Sequence, residues 1–381
     1  MGYVIGENIT AYILNNPRGK AGFSQTIIDT KFEELLEVVK PDIAHIGHLN
    51  HLSTGIVNIL HAKNIPIIYT LHDFWLMCPR GQFLQSNFGK EKNYQLCSGQ
   101  DDSKCADNCY RAFFTGENEE NDFHYWKQWV NVRMKATYDI TKKVELFIAP
   151  SKYLRNRFIS EFGIPENKII YLDYGFPTHY LKPVLKYTST SFRFGYIGTH
   201  IPAKGVNLLI EAFSKVKGDI SLQIWGRENN PGTAFLKALA GKCKKPIIFK
   251  GEYVNRNLAK EVFSSVDCIV VPSIWTENSP LVIHEAQACG VPVITANIGG
   301  MAEYVNHMEN GLLFAHRDID DLAIKMQYAV DNPNKMKELG AKGYLYSDNG
   351  LIPSIETHCD ELEKLYNQTI RLKCKVSGVL Q

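Results

Sequence analysis

Apolar runs of strand length alternate with stretches of helical spacing along the first half of the chain. Buried-strand patterns stand at residues 41–49, 65–73, 144–151 and 168–172. Helical patterns occupy residues 32–39, 53–63, 125–143 and 152–162. This alternation predicts an α/β domain in which helices cover both faces of a parallel sheet. Residues 1–30 show no comparable pattern.

The alternation begins again after a polar, proline-containing stretch. Residues 174–177 and 181–191 form this predicted hinge. Strand patterns then stand at residues 193–198, 221–226, 246–251, 268–271 and 291–295. Helical patterns occupy residues 206–216, 233–241 and 258–265, and further helices are predicted to start near residues 279, 318, 334 and 352. We therefore expect domains at residues 1–182 and 183–351, followed by a terminal helix within residues 352–381.

Residues 74–120 interrupt the first series with a polar insertion. It contains Cys78, Cys97, Cys105 and Cys109, separated by eighteen, seven and three residues. Four thiolates can hold one zinc ion, and such a metal would stabilise a segment that lacks a large core of its own. The spacing is not that of a standard zinc finger, so free or partly oxidised thiols are the alternative.

Composition narrows the class of protein. The 381 residues carry a net charge of +2, and 45% of them are hydrophobic. This balance argues against a nucleic-acid-binding protein and supplies enough apolar residues for two cores. No apolar run reaches the roughly 18 residues that span a bilayer, and no charged-then-apolar leader opens the sequence. Nine cysteines without such a leader favour a reducing cytoplasm.

Residues 275–293 lead from a predicted buried strand into a helix. Ser279 is a favoured N-cap residue, and Pro280 suits the first helical position. Because proline has no N–H, the free amides at this terminus belong mainly to Ser279, Leu281 and Val282. Together with the helix dipole, these amides predict a site for a phosphate or diphosphate.

Two carboxylates flank this predicted anion site. Glu277 precedes the helix start, and Glu285 follows it eight positions later. One carboxylate can accept hydrogen bonds from ribose hydroxyls, while the other works near a sugar carbon. Two carboxylates near a helix start are also common as caps or solvated charges.

Around these residues the sequence resembles family 4 of the retaining glycosyltransferases. The resemblance rests on the spacing of Glu277 and Glu285 and on the segments AQACGVPVI, NIGGMAEYV and NGLLF. It implies the GT-B fold, in which two Rossmann-like domains face each other across a cleft and the C-terminal helix crosses back onto the first domain. In the family, the chain begins with a strand and a glycine-rich loop, and two further strands precede the segment matching residues 41–49. Gly19 and Gly22 follow no strand-like run, so we expect a truncated or atypical N-terminal region.

The resemblance also implies roles in the second domain. Lys204, in a glycine loop, matches a lysine that faces the donor diphosphate, whereas Thr199 stands where the family has an arginine. Arg227, after the next strand, is a candidate substitute, or else an ordinary surface or structural arginine. Tyr253 and Val254 lie where the family holds the nucleotide base with its main chain, or they simply join a strand to a helix.

In the first domain, His72 ends a predicted strand and matches a histidine that contacts the donor sugar. Asp73 beside it is expected to orient a neighbour, although a His–Asp pair at a strand end is often structural. By resemblance, Glu285 holds the ribose, and Glu277 positions the sugar together with His72. We include Asn278 among the substrate-binding residues of the same loop.

Two further patterns admit a functional and a structural interpretation. Asp318 and Asp320 match the Asp-x-Asp motif of metal-dependent glycosyltransferases, but their position before an apolar helix favours a cap. Residues 125–143 carry tryptophans amid basic residues, which suits either a helix on anionic lipid or a core helix with a solvated basic face. We favour the structural interpretation in both cases.

Together these features predict a metal-independent, retaining glycosyltransferase. The expected donor is a UDP-sugar, with glucose as the first choice, and the expected acceptor is a glycan or a lipid-linked sugar, as in polysaccharide biosynthesis. We expect no cofactor for catalysis, no nucleic-acid partner, and a cytoplasmic location with possible peripheral contact at the inner face of the membrane. The alternatives are a nucleotide-sugar epimerase or a phosphorylase on the same fold, and a non-catalytic nucleotide-sugar-binding protein.

Overall fold

A short hairpin precedes the first parallel sheet. The computed structural model describes residues 2–14, 22–87, 93–187, 189–228 and 231–376. The hairpin consists of β1 (Gly2–Gly6) and β2 (Ile9–Tyr12), which pair antiparallel and only with each other. The main sheet therefore receives no strand from the described residues before Ala44, unlike the arrangement that the resemblance implies. Gly19, from the predicted glycine segment, lies outside the described residues.

Two strand–helix units begin the first domain. They consist of α1 (Thr26–Val39), β3 (Ala44–Ile46), α2 (Gly55–Ala62) and β4 (Ile67–Thr70). Their positions agree with the apolar pattern, except that α1 starts earlier than predicted. This first turn has only Ile28 in the core, while Ile27 is exposed, so periodicity gave little indication of it.

The polar insertion contains little regular structure. Its elements are β5 (Leu84–Gln85), β6 (Gln95–Leu96), α3 (Asp102–Cys105), a π-helical turn (Ala106–Tyr110) and a 3₁₀ turn (Arg111–Phe113). The chain then enters α4 (Glu119–Lys143), which contributes Trp126 and Val130 to a small cluster with the insertion. This cluster is separate from the main cores of the two domains.

The first sheet is completed by β7 (Leu146–Ala149), α5 (Lys152–Ser160) and β8 (Ile169–Tyr171). Its spatial order is β3–β4–β7–β8, and all neighbours are parallel. The hydroxyl of Ser151 caps α5 by accepting from the N–H of Leu154 at 3.1 Å.

The second domain has a six-stranded parallel sheet in the order β11–β10–β9–β12–β13–β14. Its elements along the chain are β9 (Phe192–Ile197), α6 (Val206–Lys215), β10 (Ile220–Trp225), α7 (Gly232–Ala240), β11 (Ile247–Gly251), α8 (Leu258–Glu261), β12 (Cys268–Val271), α9 (Leu281–Ala288), β13 (Val293–Ala296), α10 (Gly299–Glu303), β14 (Gly311–Phe314), α11 (Ile319–Asp331) and α12 (Pro333–Lys342). The strand order reverses between β9 and β12. Open α/β sheets bind ligands at the carboxyl ends of strands beside such a reversal.

The last helix, α13 (Ile355–Val376), returns to the first domain. Tyr366 lies 2.5 Å from the Nδ1 atom of His45, measured from its hydroxyl oxygen. Nearer the end of the helix, Lys373 forms an ion pair with Glu145 at 2.6 Å. The predicted two-domain α/β architecture with a returning terminal helix is therefore confirmed.

Candidate active site

The loops after β9 and β12 pack closely at the strand-order reversal. Gly205 has a φ of +67°, and a Cβ atom there would lie 2.0 Å from the carbonyl oxygen of Pro272. Gly300, at the start of α10, approaches the same region so closely that a Cβ atom would lie 1.4 Å from the carbonyl oxygen of Asn278. Its N–H donates to the carbonyl of Glu277 at 2.7 Å. The backbone that carries Glu277 is thus fixed from two sides.

The start of α9 differs by one residue from the prediction. Pro280 is the N-cap, with an extended backbone at φ −67° and ψ 112°, and Leu281 is the first helical residue. Ser279 does not cap the helix, because its hydroxyl donates instead to Asp173 at 3.4 Å. Within the described part of the chain, no group accepts from the N–H of Leu281 or Val282. The two free amides therefore remain available, and Leu281 is 49% exposed.

Lys204 and Glu277 meet across the two loops. The Nζ atom of Lys204 lies 2.6 Å from the Oε1 atom of Glu277, although the residues are 73 positions apart. The hydroxyl of Ser273 donates to the same oxygen at 2.6 Å. Glu277 is only 6% exposed, whereas the Lys204 side chain is more accessible. The structure thus brings a cation and a buried carboxylate together beside the start of α9.

Glu285 is a desolvated carboxylate on α9. Burial raises its pKa to about 7, and the nearby His284 opposes this only weakly. Among the described residues, no donor is hydrogen-bonded to its side chain. Burial raises the pKa of Tyr253 to about 12, and the charge of Glu285 adds to the effect, which indicates that the two side chains are neighbours. The carboxylate of Glu285 can therefore accept hydrogen bonds from a ligand.

The other candidates of the second domain lie at the rim. Val254 is exposed, and so is Thr199. The Arg227 side chain is 82% exposed, with its Nε atom 4.0 Å from Glu252. These positions border the two loops without contributing buried contacts to them.

Asn278 connects the loop after β12 to the first domain. Its amide nitrogen donates to the carbonyls of His72 at 3.2 Å and Leu71 at 3.4 Å. Its amide oxygen accepts from the hydroxyl of Ser151 at 2.8 Å. Asn278, which we included among the substrate-binding residues, thus ties the domains together in this structure.

His72 lies across the cleft from Glu277. Its Nδ1 atom is 2.8 Å from the hydroxyl of Tyr174, whose ring stacks on the imidazole. Partial burial lowers the pKa of His72, and the nearby His48 adds to the effect. Both favour a neutral ring at neutral pH. Asp73 accepts from the N–H of Trp75 at 2.7 Å and lies 3.3 Å from His48. Asp73 thus orients its neighbours, as predicted.

Comparisons with known proteins match this arrangement over most of the chain. Residues 8–179 match the family model described as Glycosyltransferase Family 4, and residues 181–346 match the model described as Glycosyl transferases group 1. The chain belongs to the family 4 type of glycosyltransferase. The resemblance stated from the sequence is therefore confirmed.

Curated relatives of this glycosyltransferase align over shorter stretches. A D-inositol 3-phosphate glycosyltransferase of Rhodococcus jostii is 38% identical over 23% of this chain and 20% of its own length. An uncharacterized glycosyltransferase of Methanocaldococcus jannaschii is 28% identical over 54% of this chain and 56% of its own. The capsular polysaccharide biosynthesis glycosyltransferase CapM of Staphylococcus aureus is 25% identical over 61% and 65%. The chain thus spans between a fifth and two thirds of the length of these relatives.

Solved structures support the GT-B fold for this glycosyltransferase. Anabaena Alr3699/HepE, solved in complex with UDP and glucose, aligns with a TM-score of 0.63 at 15% identity, over 90% of this chain and 81% of that one. Sucrose-phosphate synthase from Thermosynechococcus elongatus aligns with a TM-score of 0.65 at 17% identity, over 91% and 78%. At these identities the likeness concerns the fold.

Sequence reasoning missed a buried polar network behind α9 of this glycosyltransferase. Asp173, between β8 and the hinge, accepts from the hydroxyl of Tyr344 at 2.8 Å and lies 3.0 Å from the Nε2 atom of His284. His284 is fully buried, and its ring also packs on Phe176 and Tyr304. A histidine on the apolar face of a short helix was the available signal. The network holds α9 against the hinge.

A second missed contact joins the domains beside Asn278. The carboxylate of Glu303, on α10, accepts from the N–H groups of Lys152 and Tyr153 at 2.8 Å each. These amides form the free N-terminus of α5 in the first domain, where a negative charge is stabilising. A helix of one domain is therefore capped by a side chain of the other.

Both structural interpretations from the sequence agree with the contacts. Asp318 caps α11 by accepting from the N–H of Asp321 at 2.9 Å, as predicted. On α4, Trp126 is buried in the insertion cluster, and Arg133 is buried with its guanidinium 4.4 Å from the ring of Trp75. Helix α4 thus packs as a core helix. Within the described ranges, no helix combines the length and apolar character needed to cross a bilayer.

Proposed function

We propose that the chain transfers a hexosyl group from a UDP-sugar, with retention of anomeric configuration, to a glycan or lipid-linked acceptor of polysaccharide biosynthesis. The contact between Lys204 and Glu277 beside the free amides of α9 carries this proposal. These groups lie at the strand-order reversal, where ligands of open α/β sheets bind. The same helix presents Glu285 about 6 Å further along its axis, at a rise of about 1.5 Å per residue.

The donor diphosphate lies between the glycine loop and the start of α9. The ammonium of Lys204 and the amides of Leu281 and Val282 offset its negative charge, which is largest when the sugar has left. Such fixed positive groups perform the task that a metal ion performs in other glycosyltransferases. Thr199 provides no cation, and Arg227 at the rim is the second positive group in this proposal.

The nucleoside lies against Glu285 and Tyr253. Ribose hydroxyls donate to the Glu285 carboxylate and supply the partners that it otherwise needs. The residues around Tyr253 hold the base through their backbone. A uridine nucleotide is the first choice because Alr3699/HepE, which shares the fold, was solved with UDP and with UDP-glucose. CapM, whose name places it in capsular polysaccharide biosynthesis, supports a glycan acceptor.

Retention requires substitution on the same face of the anomeric carbon. Because no free nucleophile is well placed among the described side chains of the loop, the proposal uses an ion-pair-like route rather than a covalent intermediate. The Glu277 carboxylate is buried and already bonded to Lys204 and Ser273, so it positions the sugar and balances charge. His72, neutral and stacked on Tyr174, bonds a sugar hydroxyl. The departing diphosphate and the incoming acceptor therefore share one face of an ion-pair-like intermediate.

Donor turnover tests this function without knowledge of the acceptor. Proton NMR of UDP-α-glucose with stoichiometric protein is expected to show slow hydrolysis that yields α-glucose first. Conversion into another UDP-sugar would indicate an epimerase, and tight UDP binding with an intact donor would indicate a non-catalytic binding protein. Initial release of β-glucose would overturn retention.

A further inference from the structure

The four cysteines of the insertion converge on one small cavity. Cys78, Cys97, Cys105 and Cys109 all line it, together with Arg80, Phe83, Leu84 and Gln100. Three of these thiols are 5–7% exposed, and Cys97 is half-buried. The other described cysteines lie elsewhere, in the second domain or on α13. Four cysteines spread over 32 positions of sequence thus line the same cavity.

Backbone groups hold two of the four sulfur atoms in place. The backbone of Asp101 is hydrogen-bonded to the Cys105 sulfur, and the backbone of Ser86 is hydrogen-bonded to the Cys109 sulfur. Hydrogen bonds of this kind orient the ligands of a metal site.

The insertion has few other means of holding its shape. Its two strands contain two residues each, and its apolar cluster lies to one side, against α4. All four cysteines are free, so no disulfide links them. One metal ion bound by four side chains would connect the turn after β4, the end of β6, helix α3 and the π-helical turn.

From this geometry we propose that Cys78, Cys97, Cys105 and Cys109 bind one structural zinc ion. Four cysteine ligands suit zinc in tetrahedral coordination. As they stand, no three of the described His, Cys, Asp or Glu side chains form a group that could hold a metal ion. The Cys97 thiol instead donates to the carbonyl of Gly99 at 2.9 Å. Metal binding therefore requires the thiols, that of Cys97 among them, to turn toward the cavity.

The proposed zinc site stabilises the side of the active-site cleft that the first domain forms. Cys78 follows His72 by six residues, and its N–H donates to the carbonyl of Phe74 at 2.8 Å. On the other side of the insertion, the carbonyl of Tyr94 accepts from Arg317 of the second domain. A metal that fixes the insertion thus fixes both the segment that carries His72 and a contact with the opposite domain.

Metal analysis of the full chain tests the proposal independently of enzyme activity. Protein purified without chelators is expected to contain about one zinc per chain by mass spectrometry, as a single four-cysteine site requires. Cys78→Ser and Cys109→Ser should lose the metal, while Cys359→Ser, an exposed change on α13, should keep it. Zinc retained in the first two variants, or a wild type that neither contains zinc nor takes it up when reduced, would overturn the proposal.

Cobalt substitution covers the case in which those variants fail to fold. The wild-type chain loaded with Co²⁺ is expected to show the thiolate charge-transfer and intense visible bands of a tetrahedral sulfur site. Chelation of the zinc should then increase deuterium exchange in residues 72–78 and leave β12 unchanged. Weak octahedral cobalt bands, or disulfides among the four cysteines in the freshly purified protein, would contradict the proposal.

Discussion

Substitution of Glu285 by glutamine isolates the charge that the nucleoside site is proposed to use. The change keeps the shape of the side chain and removes its ionisation. Glu285 is desolvated on α9, and no described donor bonds its side chain. Its ionised form is therefore disfavoured until ribose hydroxyls reach it.

The expected size follows from the pKa of Glu285. Burial raises this value from 4.5 to about 7. At about 1.36 kcal/mol per unit, the ionised side chain costs the folded protein about 3 kcal/mol. The unfolded chain loses this proton near pH 4.5 and the folded chain only near 7. The folded state binds more protons between these values, so the contribution of Glu285 lowers stability as pH rises and levels off above pH 7.

Unfolding by urea at pH 5, 6, 7 and 8 measures this contribution. We expect Glu285→Gln to gain up to about 3 kcal/mol relative to the wild type between pH 5 and pH 8. Because both proteins share every other titrating group, the change in their difference belongs to Glu285. A difference that stays constant across this range would refute the assigned burial.

Calorimetric titration with UDP measures the second half of the prediction. At pH 8, loss of hydrogen bonds to a charged acceptor should weaken UDP binding in Glu285→Gln by roughly 10-fold or more. The wild type should bind UDP more weakly below pH 7, where Glu285 is protonated, beyond any change seen in the variant. Equal UDP affinity of the two proteins at pH 8 would refute the role at the ribose.

Three further changes test other parts of the site. Lys204→Ala should lower donor turnover by roughly 100-fold, as loss of one charge-stabilising group does, and retain UDP binding; normal turnover would remove Lys204 from the mechanism. Asn278→Ala should increase the radius of gyration in small-angle scattering, because it breaks the bond to His72 that closes the domains; an unchanged radius would contradict that role. Arg133→Ala should destabilise the protein by about 3 kcal/mol or more in urea, since it removes a large buried side chain from Trp75; a loss below about 1 kcal/mol would argue against that packing.

The sequence sufficed for those parts of the fold and site that depend on local pattern. The alternation of strands and helices predicted both parallel sheets, because buried strands and amphipathic helices have distinct periods. It also placed Lys204 and Glu277 in loops after strands of one sheet. Those loops meet because the strand order reverses between β9 and β12.

The remainder depends on contacts between distant segments, which periodicity does not report. Asp173 and His284 are 111 positions apart and pair because the segment between β8 and the hinge packs against α9. The N-cap at Pro280 shifted for the same reason, since Asp173 takes the hydroxyl of Ser279. Asn278, which we grouped with the substrate-binding residues of its loop, also bonds the carbonyl of His72, 206 positions away in the other domain.

A thermal-shift comparison of UDP, GDP and ADP on the wild-type chain tests the central claim most directly, because it examines the nucleotide site without an acceptor. A ligand at about 100 times its Kd adds about 2.7 kcal/mol to the stability of the state that binds it. We predict that UDP raises the melting temperature by a few degrees and more than GDP or ADP does. No shift with any of the three nucleotides would contradict a diphosphate site between Lys204 and the start of α9.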